Sequence, residues 1–171
     1  MDARSHLVAL YHSVHEVLEG TMADVTAEQA LWIPPGAAEP IGATYAHVLM
    51  SEDYFVNGVG KSGAPLMAGP FAGKTGIPVM PPEFPASWDN WARTTKFDLE
   101  QMRAYAKAVF AATEQYFASA PEAELDREVE SPVGKMPYSM LMTSIFGPHV
   151  ANHCGEIAAC KGFQGAKGYP F

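Results

Sequence analysis

YSMLMTSIFGPHVANHCGEIAACKGF, residues 138–163, is the stretch on which the fold turns. At about 100° per residue, Tyr138, Met142, Ile145, His149, His153, Glu156 and Cys160 share one stripe. His153 lies about 40° from His149, with Glu156 about 20° to one side and Cys160 about 20° to the other. The spacing predicts a helix from about Pro137, a favourable first-turn residue, to Gly162. Its core face turns from apolar to polar over two turns. An unpaired buried polar group costs roughly 1–3 kcal/mol, so that polar end needs a partner. A metal ion is the simplest one, because histidines four residues apart project in parallel from one helical face.

A third ligand has to come from another helix, and His47 in GATYAHVLMSEDYF (residues 42–55) is the evident donor. Its helical neighbours are Ala43, Thr44, Met50 and Ser51, a partly apolar face that turns it inward. Imidazole suits zinc, nickel, copper or iron. The agreement in phase of the three histidines, joined by Glu156, lifts them above a pair of packed or solvated side chains. His12 and His15 differ. They lie about 140° and 80° off the Leu7–Leu18 stripe of the first helix and are expected on a solvated face with Glu16 and Glu19. Cys154 points away from the histidines, and Cys160 is roughly 10 Å along the helix from His153, too far to be a ligand.

Around these two helices, apolar spacing marks two more. One runs from about Arg4 to Glu19 and is expected to end at Gly20; the other begins at Thr95 with a cap at Asp98 and ends before Pro121. Thr26 and Gln29 form a capping pair for a two-turn helix ahead of Pro34 and Pro35. The His47 helix is expected over about Ala43–Asn57, and a short turn over Ser87–Arg93 carries Trp88 and Trp91. Residues 58–85 hold 12 of the 29 Gly and Pro residues, which marks a long loop. No segment alternates convincingly as a strand. The expected architecture is a single all-α domain spanning residues 1–171, a four-helix bundle whose long connections permit crossovers. Gly147 and Pro148 predict a kink or a restart just before His149.

Composition narrows the function. Eleven Lys and Arg stand against 19 Asp and Glu, a formal charge of −8, and no basic cluster offsets it, which argues against nucleic acid as a partner. The opening MDARSHLVALYHSVHEVLEG lacks the form of a signal peptide, and no apolar run reaches the length of a membrane span. The two cysteines, six apart on one helix, point about 120° away from each other and read as free thiols. A cytoplasmic protein is the expectation.

The stretch LEGTMADVTAEQALWIPPGAAEPIGATYAHVLMSEDYF (residues 18–55), with its Trp-x-Pro-Pro-Gly, Ile-Gly and a histidine followed five positions on by Glu52, resembles the DinB/YfiT-like superfamily of metal-binding four-helix bundles. HVANHCGEIAACKGFQGAKGYPF (residues 149–171) looks like that family's His-x3-His-x-Gly-Glu-Ile ending. The resemblance implies that His47, His149 and His153 are metal ligands, with zinc or nickel the usual occupant, an open coordination position and, commonly, a homodimer. Relatives include thiol-dependent enzymes that use mycothiol, bacillithiol or glutathione, and many described only as metal-dependent hydrolases. The expected function is therefore a metal-dependent hydrolase or thiol-dependent S-transferase acting on a small molecule. Its cofactor would be a divalent metal ion, with a low-molecular-weight thiol in the second case. Glu156 would be the general base or a residue orienting a ligand, and Tyr54 a substrate-side donor or a packed aromatic. The alternative is a non-catalytic bundle that holds a small ligand or senses metal.

Overall fold

A computed structural model describes residues 2–83, 86–131 and 133–171. Helix α1 spans Ala3–Met22, capped by Asp2, whose carboxylate accepts from Ser5 N at 2.8 Å. It runs straight through Gly20. That glycine does not stop the helix; it lets Pro170 approach, since a Cβ there would sit 2.9 Å from the proline ring. The carbonyls at the end of α1 are instead satisfied by cations from other elements: Lys161 Nζ donates to Thr21 O at 2.7 Å and Arg103 Nη2 to Met22 O at 2.7 Å.

Helix α2 (Ala27–Leu31) carries the expected reciprocal cap between Thr26 and Gln29. Helix α3 covers Ile41–Asp53 and widens into a π-helical stretch, Tyr54–Gly60. After the loop come α4 (Asp89–Thr94), α5 (Leu99–Ser119) and α6 (Glu122–Leu125). Asp98 caps α5 through Gln101 N at 3.0 Å, so α5 begins four residues later than the Thr95 expected from sequence. A two-stranded antiparallel hairpin follows, β1 (Glu128–Ser131) with β2 (Gly134–Pro137), pairing Val129 with Met136. The sequence did not reveal it, because four residues per strand are too few for alternation to register. The chain then enters α7 (Tyr138–Leu141), a π turn at Met142–Phe146, and α8 (Gly147–Phe163).

The protein is an all-α bundle built from α1, α3, α5 and α8, with only this small hairpin beside it. Helices α1 and α3 each pack against both α5 and α8, which places α1 across the diagonal from α3. The steps from α1 to α3 and from α5 to α8 thus cross the bundle, as the long connections permit. The loop after α3 is fastened from beneath by Asp53, which is fully buried. Its carboxylate accepts from Tyr105 Oη (2.6 Å), Asn57 Nδ2 (2.8 Å), Leu66 N (2.8 Å) and Met67 N (2.9 Å). Among the described residues, no helix is long and apolar enough to cross a membrane.

The π turn at Met142–Phe146 takes the place of a kink. Gly147 N donates to Met142 O, a hydrogen bond one residue longer than the α-helical one, which inserts an extra residue into the stripe. Before it, Tyr138, Leu141 and Met142 are buried; after it, Val150, Cys154, Ile157 and Lys161 are. Relative to His149 the second group centres about 110° round the helix. The face expected to point at the core is therefore turned to its flank, and Cys154 sits in the interior where the histidines would otherwise have been. Gly147 lets this segment lie against α1: a Cβ there would meet Leu10 Cδ2 at 2.6 Å.

Candidate metal centre

Three imidazoles meet where α3 and α8 pack together. From Ile41 to Met50 every residue of α3 is buried except His47, which is half-buried and faces α8. His149 and His153 approach it from adjacent turns of the rotated flank. The ring centroids are 4.8 Å (His47–His149), 4.8 Å (His47–His153) and 4.4 Å (His149–His153) apart, with interplanar angles of 67°, 84° and 84°. Rings so steeply crossed do not stack. One ligand atom from each lies within 4.8 Å of the others, and no other such group of three or more His, Cys, Asp or Glu occurs among the described residues.

The donor set fits a divalent cation. Nε2 of His47 and Nε2 of His149 are 2.8 Å apart. Nitrogens held about 2.0–2.1 Å from a tetrahedral ion stand roughly 3.3 Å from each other, so half an ångström of movement reaches that spacing. His153 has Nδ1 against Glu156 Oε2 at 2.6 Å, which leaves Nε2 as its free ligand atom. A carboxylate on the far nitrogen is how metal-bound histidines are commonly oriented. Nδ1 of His47 is buried without a partner, so this imidazole is not a core side chain with its hydrogen bonds complete. Burial, and the charge that His153 can carry, pull His47 down to about 4; burial, then His153 and His47, take His149 to about 3. Both rings are neutral at pH 7, the form that ligates metal.

Aromatic and small residues complete the surroundings. Trp88 meets His47 edge-on at 5.2 Å and Trp91 at 5.4 Å, while Phe146 lies 5.7 Å from His149. The sequence had singled out both tryptophans only as members of a short helix; nothing in their spacing pointed to His47, 41 and 44 residues distant. Glu39 was missed altogether. It shares a cavity with His47 and His153, and its Oε2 is shielded and unpartnered.

Other expectations resolve differently. Tyr54 is 53% exposed and touches Phe55 edge-on, so it does not pack in the core, and it does not line the cavity beside His47 and His153. Cys160 is buried and donates toward Glu39 O at 3.6 Å; Cys154 lies 3.4 Å from Thr21 Oγ1, and both are free thiols. His12 is exposed beside Glu16, as expected. His15 is not: it is 4% exposed, between Glu52 and Glu114. The buried arc of α1 runs through Leu7, Tyr11, Leu18 and Met22, and His15 closes that arc. The misreading came from weighting Leu10 and Val17, which lie at its edge.

A sequence model of the DinB superfamily matches residues 10–157. Among solved structures, a crystal structure described as a conserved protein of locus from Enterococcus faecalis shares 16% of residues, with a TM-score of 0.75 over 94% of this chain and 96% of that one. At that identity the likeness is one of fold. No curated protein matches this chain.

Proposed function

This chain belongs to the DinB superfamily, and from that membership and its histidine cluster we propose a metal-dependent enzyme acting on a small molecule, with His47, His149 and His153 holding one divalent ion. The observation that carries this reading is the convergence of three imidazoles with no carboxylate between them. When bound there, a divalent cation supplies Lewis-acid chemistry, polarising a carbonyl and acidifying water. Three neutral ligands leave its charge undiminished. Zinc and nickel are the occupants we favour, since both accept nitrogen-only donor sets.

The residues around the centre have separable tasks. Glu156 fixes the ring of His153 by accepting its Nδ1 proton, and its exposed carboxylate stays within reach of solvent as a base. His47 and His149 stay deprotonated because α3 and the aromatic wall keep water from them. Hydrolysis is favoured over thiol transfer by one feature. The cavity that adjoins the histidines is lined by Glu39, Ala43, Thr44, Trp88, Trp91 and Ala92, with no Lys or Arg to receive the carboxylates of a peptide-like thiol. The test is turnover by the zinc- and nickel-loaded protein on neutral esters and amides, set beside thiol-plus-electrophile pairs. Hydrolysis lost in the His149→Ala variant supports the assignment. A fully metallated protein inert toward both panels overturns it in favour of a binding module.

A further inference from the structure

The cavity beside the histidines has a volume of about 130 Å³ and is bounded by Ala43, Thr44, Trp88, Trp91, Ala92 and Glu39, with His47 and His153 on its inner side. We propose that it seats a compact, neutral, apolar group of the substrate, no larger than a phenyl ring. This rests on the metal-dependent reading above for what that group is attached to, though not for the cavity itself.

Three observations carry the proposal. The first is the chemistry of the wall. Trp88 Nε1 donates to Pro82 O at 2.9 Å and Trp91 Nε1 to Val79 O at 2.7 Å, so both indole donors are committed to the loop. What the two rings have left to offer the cavity is carbon. Thr44 Oγ1 likewise donates to Pro40 O at 3.3 Å. The same bonds hold the rings in place, so the cavity is formed before a guest arrives.

The second is size. Ala43 and Ala92 are buried and supply a floor of methyl groups. An apolar cavity of about 150 Å³ in another protein stays dry and takes up benzene, so about 130 Å³ suits a phenyl or butyl group and little more. The third is charge. Glu39 lines the cavity, and Arg93, the cation whose charge acts on it, does not line the cavity and has its guanidinium bonded elsewhere. Arg93 Nε donates to Asp89 Oδ1 at 2.6 Å, and its Nη2 to Gly36 O and Ala38 O at 2.8 and 3.1 Å. A carboxylate or phosphate entering by this wall would meet an acidic side chain and no Lys or Arg among the lining residues. The anionic or reactive end of a substrate therefore belongs at the histidines and its apolar end among the tryptophans.

Benzene, benzoate and 1-naphthol test this against the full chain, with and without zinc, through the indole N–H resonances of Trp88 and Trp91. Benzene should shift both saturably in the millimolar range. In the zinc-free protein benzoate and 1-naphthol should bind at least tenfold more weakly, and Ala92→Leu should abolish the benzene response. No saturable shift with benzene, or benzoate binding within tenfold of it in the zinc-free protein, overturns the proposal even if the variant fails to fold. Metal content of the His149→Ala, His153→Ala double variant is measured alongside. Full metal there removes the metal reading and leaves the cavity result standing. Normal metal loss with no benzene response removes the cavity alone.

Discussion

Two histidine clusters sit in this bundle, and they solve the cost of burial in opposite ways. His15 lies across the diagonal from α3, with Nε2 2.9 Å from Glu52 Oε1 and Nδ1 3.1 Å from Glu114 Oε1. Phe110 stacks on it at 4.0 Å, and Thr113 Oγ1 donates to the same Glu52 oxygen at 2.6 Å. Carboxylates at both ring nitrogens favour the imidazolium, the form that can donate to both. Burial pulls its pKa down, but the charge and hydrogen bond of Glu52, followed by those of Glu114, raise it on balance. His47, His149 and His153 instead face one another, with one carboxylate, that of Glu156, at the periphery against His153. A protonated histidine between carboxylates is a structural strut. Histidines that converge on one another could hold a cation.

The sharpest way to break the comparison is to remove ligands. The His149→Ala, His153→Ala double variant should lose stoichiometric metal by mass spectrometry, while His15→Ala should keep it. Metal retained in the former would refute the assignment. Nearly as large an effect is expected from deleting Ser144, an exposed residue of the π turn. Removing the extra residue should return His149 and His153 to the core stripe. Helical circular dichroism should be retained and metal content lost; retained metal would show that the turn does not set the phase.

Stability separates the clusters next. His15→Ala leaves Glu52, 2% exposed, with Thr113 as its only hydrogen-bond partner. Urea unfolding should show a loss of about 3–5 kcal/mol, the usual cost of stranding one member of a buried ion pair. A loss under 1 kcal/mol would mean that His15 is not charged. Glu156→Ala should act on metal and not on folding, weakening affinity about 10–100-fold as loss of an orienting carboxylate does. Unchanged affinity in a competition titration would reduce Glu156 to a surface residue.

The smallest effects are in pH dependence, and their signs differ. In metal-free protein, His47 and His149 hold their protons less tightly folded than unfolded. Stability should rise with pH from about 3, through about 4, to the unfolded value near 6.5. His15 holds its proton more tightly when folded, so its contribution is complete below about 6.5 and lost as pH rises through the raised folded value. Urea midpoints of wild type and His15→Gln should therefore converge at alkaline pH. Midpoints that diverge there would contradict the charge assigned to His15.

Much of the molecule was legible in its residues. Local rules of periodicity and capping placed the long helices, because caps such as Asp98 and the Thr26–Gln29 pair act within a single turn. The three candidate ligands were legible because His149 and His153 sit one turn apart. His47 was reached as the inward histidine of the other helix with a matching motif. The buried place of His15 was not legible, since its partners Glu52 and Glu114 are 37 and 99 residues away. Nor was the wall of Trp88, Trp91 and Glu39.

The chain alone determined that this is an all-α bundle and which imidazoles are candidates for a metal, since helical phase is a property of neighbouring residues. Tertiary structure decided where that phase points. One wider turn before Gly147 rotates α8, moves Val150 and Cys154 into the interior, and brings two histidines to the flank where His47 waits. Such a turn gains nothing locally. It is held by packing against α1 and by the space at Gly147, and contacts of that range leave no periodic trace in sequence.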